Sequence, residues 1–225
     1  MNSQQSLDTL KDIKKMMERS SRFISLSGWS GVAAGVCALI GAHFANDIIS
    51  RNKNSDSLIK KIDFNQYDAS ANRYEGVSLQ SYMGNSLFQI AIVTLVAAVI
   101  LAFTFTYLRS KKTRTPIWGA TSKKLLISTA IPLVAGGLYL LQLMKFSNFG
   151  LIAPGCLLFY GLALLSGSRY TIGEIKYLGY IQILLAIISM YNPGYGLYFW
   201  AIGFGIMHII YGLVMWYKYE RNTEQ

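Results

Sequence analysis

Six apolar blocks, at about 23–45, 86–108, 125–144, 149–166, 172–191 and 197–217, alternate with polar connections. An α-helix rises 1.5 Å per residue, so roughly 20 residues cross the ~30 Å hydrocarbon layer of a bilayer. Each block is close to that length. Within hydrocarbon every backbone N–H and C=O has to be paired inside the chain, and a helix does this without a partner segment. Charge points the same way: 14% of the 225 residues are charged, against about 25% in a soluble domain. The expectation is an all-α fold, a polytopic membrane helix bundle of six transmembrane helices.

The connections carry the orientation. Residues 1–22 form a basic segment in which Leu10, Ile13 and Met17 recur at helical spacing, so a short amphipathic helix is expected there. A secretory leader fits this start poorly, because it is long and His43 precedes the one plausible cleavage point after Ala45. Segment 46–84 is polar and of mixed charge, whereas loop 109–124 holds six Lys or Arg. With the N-terminus inside, the cytoplasmic side carries fifteen of the 21 Lys and Arg. The positive-inside rule then places both termini, including the 218–225 tail, in the cytoplasm and segment 46–84 outside. Short connections at 145–148 and 192–196 predict antiparallel hairpins, the second through Asn192-Pro-Gly. The net charge of +10 is concentrated in these connections, so anionic headgroups explain it and direct binding of nucleic acid is not expected.

Inside the blocks the chemistry is sparse. His208 lies in GIMHIIYGLVMWYKYER (205–221), and helical geometry puts it on a stripe with Ala201, Gly205, Gly212 and Met215. Small residues let another backbone approach, so this stripe faces the bundle and Ile206, Ile210 and Leu213 face lipid. A polar side chain at that depth needs a partner. Two readings of His208, with Tyr211 beside it, stay open: a neutral imidazole riveting two helices, or an intramembrane site for a proton or ligand. Gly31 and Gly35 form a GxxxG pattern on a stripe with Gly28, Ala38 and Ala42, which predicts close helix packing within the bundle.

Thr171 and Glu174 have capping-box spacing, so the fifth helix is expected to start at Ile172, with Glu174 satisfying its first turn. Pro132 with Gly136-Gly137, and Pro154 with Gly155, mark spans that could break around a cavity, as in transporters, or merely kink. Cys37 and Cys156 stand apart in apolar blocks and read as buried free thiols. Hydrolase, metalloprotease and P-loop signatures are missing, so the expectation is a non-enzyme without metal or other cofactor.

The stretches IKKMMERSSRFISLSGWSGVAAGVCALIGA (13–42) and GYGLYFWAIGFGIMHIIYGLVMWYKYER (194–221) resemble an uncharacterised family of small six-span bacterial integral membrane proteins. The resemblance implies a multi-pass protein of the bacterial inner membrane. Such proteins can be encoded near winged-helix regulators, which implies a soluble cytoplasmic regulator as a possible partner beside membrane lipid. The function expected from the residues is a membrane scaffold or sensor, with a small transporter or permease subunit as the alternative. Its basic cytoplasmic surface, formed by Lys11, Lys14, Lys15, Arg109, Lys111, Lys112 and Arg114, would contact anionic lipid or that soluble partner.

Overall fold

The computed structural model describes residues 27–59, 86–113, 119–146 and 148–221. Lys11, Lys14, Lys15, Arg114 and the N-terminal amphipathic segment lie outside the described residues, as does most of segment 46–84. What is described is helical. The elements are α1 (Gly28–Ile59), α2 (Ser86–Thr113), α3 (Ala120–Lys145), α4 (Ile152–Gly167) and α5 (Ile175–Met190). The C-terminal helix consists of α6 (Gly196–Trp200), a π-helical segment (Ala201–Ile206) and α7 (Met207–Tyr219).

Five of these helices are long and apolar enough to cross a membrane: Gly28–Arg51, Ser86–Lys112, Ala120–Lys145, Phe149–Gly167 and Gly196–Tyr219. The sixth, α5, has 16 residues and a length of roughly 24 Å, short of the ~30 Å layer. Starting α5 at Ile172 does not describe it. Ile172 is buried in the turn after α4, and the first turn of α5 is closed by Tyr177 N–H to the Glu174 carbonyl at 3.0 Å. As the residue before α5, Glu174 makes no side-chain capping bond to its first turn. Side chains from the end of α7, described below, hold its carboxylate.

Helix α1 continues through Ile59, well past the apolar block, with Arg51 paired to Asp47 at 2.7 Å one turn earlier. The α5–α6 connection is a tight turn. Pro193 occupies its second position, Gly194 its third with φ +92°, and Tyr195 N–H closes it on the Asn192 carbonyl at 3.3 Å. Positive φ at that position calls for glycine.

Helix α4 packs between α3 and α5, and the C-terminal helix packs on α1, which in turn carries α2. Along this row, small residues decide where backbones meet. A Cβ at Gly212 would lie 2.5 Å from the Gly28 carbonyl oxygen, and one at Gly35 would lie 2.6 Å from the Gly205 carbonyl oxygen. A Cβ at Gly31 would meet the Gly212 Cα at 3.1 Å. The two glycine stripes therefore pack on each other, α1 against the C-terminal helix, within one chain. Ile206, Ile210 and Leu213 point outward.

Neither proline opens a span. Helix α3 runs unbroken through Pro132, and Pro154 sits in the first turn of α4, where the missing N–H is tolerated. The irregular turn is instead at 201–206, where there is no proline.

Candidate functional site

The π-helical segment AIGFGI widens one turn of the C-terminal helix, a feature that often marks functional sites. Within it Gly203 and Gly205 are both buried. Gly205 faces Leu39 of α1, while a Cβ at Gly203 would collide with Leu157 of α4 and with the Gln182 side chain of α5. Three helices thus close on one turn of backbone.

The Gly203 carbonyl is the hub. Gln182 Nε2 donates to it at 2.8 Å, and His208 Nδ1 lies 2.9 Å from it. A carbonyl oxygen only accepts, so Nδ1 carries the hydrogen. The neutral ring then has an acceptor at Nε2, and the Tyr160 hydroxyl of α4 donates to it at 2.7 Å. This assigns the neutral Nδ1–H tautomer. Both in-plane positions of the imidazole are occupied, and no lone pair is vacant for a metal or ligand. Phe204 stacks on the His208 ring at 5.9 Å between centroids, and Tyr160 packs on Phe204 at 5.0 Å.

A carbonyl, an imidazole, a phenol and the Gln182 amide link α4, α5 and the C-terminal helix. Interhelical bonds of this kind average about 0.6 kcal/mol in membranes. Leaving such groups unpaired in hydrocarbon is the larger effect. Tyr211 does not join the chain of bonds; its hydroxyl is buried and has no hydrogen-bond partner among the described residues. Gln182, Tyr160 and Gly203 were missed from the sequence. An amide inside the apolar block Tyr177–Tyr191 was the signal that could have found Gln182.

A second constellation closes one end of the bundle. Glu220 accepts from Arg109 at 2.9 Å and from the Gly28 backbone N–H. One carboxylate thereby ties the start of α1, the last turns of α2 and the end of α7, and it meets the positive end of the α1 dipole. Beside it, Glu174 accepts from Tyr219 at 2.7 Å and from Lys218. Burial pushes the Glu174 carboxyl up, but the hydrogen bonds from Lys218 and Tyr219 outweigh it and hold the group below its ordinary value. Trp29 and Trp216 meet edge-to-face at 6.1 Å on the same end.

Arg109 is therefore largely buried in an ion pair, unlike Lys111 and Lys112, which are exposed. Lys123, Lys124, Arg169, Lys176 and Arg221 are exposed at this end as well. His43 is exposed near the other end. Among the described residues no group of three His, Cys, Asp or Glu is placed to hold a metal ion, and Cys37 and Cys156 are free.

A cavity of about 360 Å³ lies away from both constellations, between α1, α2, α4 and α6. Gly41, Ala45, Ala91, Ala153 and Trp200 line it, and His208 does not. Comparison of the chain with protein-family models, curated proteins and solved structures finds no match.

Proposed function

We propose that this chain is a non-enzymatic six-span protein of the bacterial inner membrane, with both termini in the cytoplasm, that acts as a scaffold or sensor through its basic cytoplasmic face. The supporting observation is the division of charge at the clasped end. Among the described residues the two acids at that end, Glu174 and Glu220, are engaged by Lys218, Tyr219, Arg109 and the Gly28 amide. Lys111, Lys112, Lys123, Lys124 and Lys176 remain exposed around them. A cationic rim whose described acids are engaged in these bonds presents positive charge to an anionic leaflet or to an acidic surface on a soluble partner. In this reading α5 crosses as a short span, with Tyr177 and Tyr191 near the two interfaces.

His208 belongs to the scaffold in this reading, since its ring is fully engaged. The transport alternative would draw on the π-helical turn, but no residue of that turn lines the apolar cavity, and His208 is not in its wall.

The test is a photocrosslinker at position 123 in native membranes, in wild type and in a variant with Lys111, Lys112, Lys124 and Lys176 changed to Gln. The expected result is a defined adduct with a soluble protein or anionic lipid. That adduct should disappear in the Gln variant and weaken as salt shortens the Debye length. An adduct indifferent to both neutralisation and salt would overturn the basic-face reading.

A further inference from the structure

The apolar cavity has no part in the clasp or the His208 bonds, and small residues open it between larger apolar side chains such as Leu87, Phe88 and Trp200. Gly41, Ala42 and Ala45 on α1 face Ala91 on α2 and Ala153 on α4 across it. Helix α2 packs chiefly on α1, most tightly where Thr94 covers Gly41, so the side of the cavity between α2 and α4 is open. Ala91 is exposed there. The slot extends from Leu87 at the start of α2 to Thr94, seven residues or roughly 10 Å along the helix axis. That depth lies within one leaflet, half of the ~30 Å hydrocarbon layer.

We propose that this slot binds one acyl chain of a phospholipid from the leaflet opposite the basic rim, with the lipid phosphate set against Lys145. The inference rests on the membrane reading given above. An apolar cavity is a poor host for water, which needs polar partners, and a good one for a hydrocarbon chain. Its volume of about 360 Å³ equals roughly a dozen methylene-sized units, taking each near the ~30 Å³ share of a water molecule. At the mouth the charge is complementary: Met144 lines the cavity and exposed Lys145 follows it. Arg51 at that end is paired with Asp47 at 2.7 Å. Exposed Tyr195 and Tyr198 lie at the same end, where aromatic rings mark headgroup level.

Native mass spectrometry of the full chain, reconstituted in vesicles of phosphatidylglycerol or of phosphatidylcholine and then extracted, tests this. Wild type is expected to retain one phospholipid, phosphatidylglycerol in preference. Ala91→Phe, which fills the slot from its exposed wall, should cut retention at least tenfold. Lys145→Gln should abolish the preference for phosphatidylglycerol while phosphatidylcholine is held as before. Ala45→Phe fills the slot from the opposite wall and serves if Ala91→Phe fails to fold. Unchanged retention in both filled variants would overturn the proposal. So would a lipid-free wild type in which Cys156 crosslinks to segment 60–85 of the same chain. A chain that enters bilayers but holds no lipid would defeat this inference alone; a chain soluble without detergent would defeat the membrane reading too.

Discussion

Gly212→Ala adds one methyl group where the structure has no room for it. The new Cβ would lie 2.5 Å from the Gly28 carbonyl oxygen, 2.6 Å from the Val32 nitrogen and 2.9 Å from Val32 Cγ2. Ordinary contact is 3.4–4 Å, and the two nearest atoms are backbone, which no rotamer change can move. Helices α1 and α7 must therefore part by about 1 Å. A gap of that size forfeits a quarter to a half of the dispersion energy of each contact it loosens. It also pulls on the Glu220 carboxylate that accepts from Gly28. Overpacking of this kind destabilises by about 1–3 kcal/mol. Gly137→Ala is the control, since nothing lies within 4 Å of its Cβ and Ala is favoured over Gly in a helix by about 0.8–1 kcal/mol. Unfolding in mixed micelles of mild and denaturing detergent, followed by helical circular dichroism, measures both variants. Gly212→Ala should unfold earlier than wild type and Gly137→Ala at the same point or later. Equal effects in the two variants would refute the close packing of α1 on the C-terminal helix.

Removing members of the polar cluster should have graded effects in the same assay. Tyr160→Phe leaves His208 Nε2 without its donor and should destabilise by about 1 kcal/mol, while His208→Phe should cost about 1–3 kcal/mol and leave the protein in the membrane. A double-mutant cycle should give a coupling of about 0.6 kcal/mol, and additivity would remove the bond. For the clasp, Glu220→Ala should destabilise by about 1–3 kcal/mol and Glu220→Gln by less, because an amide oxygen still accepts from Gly28. The Glu174 carboxyl is held below its ordinary value of 4.5. Its stabilising contribution is therefore complete above that value and lost as pH falls through the lowered one. Glu174→Gln should flatten this acid limb in a pH series of melting curves; an unchanged limb would assign it to other groups.

Much of the helical architecture was legible because hydrocarbon leaves so few choices. The apolar blocks at 86–108 and 149–166 lie within or nearly match the observed helices, and the glycines at 28, 31, 35, 205 and 212 announced a close face by spacing alone. What the spacing could not supply was the partner of each polar group. Thr171 and Glu174 fit a capping box locally, and that spacing could not show that Lys218 and Tyr219, more than forty residues away, donate to the carboxylate.

The π-helical turn was illegible for a similar reason. Prolines 132 and 154 drew attention as helix breakers, but the extra residue at 201–206 appears where α1, α4 and α5 all press on Gly203 and Gly205. That is a property of tertiary packing. Uniform helical spacing placed His208 correctly on the inward face and could not show that Tyr160 and Gly203 occupy both of its nitrogens. Arg109 looked like its neighbours Lys111 and Lys112 in sequence, and only the position of Glu220 separates it from them.

Topology is the claim on which the cationic rim, the outer-leaflet slot and the short α5 span all depend. Reporters active on only one side of the membrane, fused after Gln225 and before Met1 and compared with insertions in 60–85, test it directly. The account predicts both termini on the cytoplasmic side and the 60–85 insertions on the opposite side. Termini on different sides, or a 60–85 segment on the same side as both ends, would contradict it.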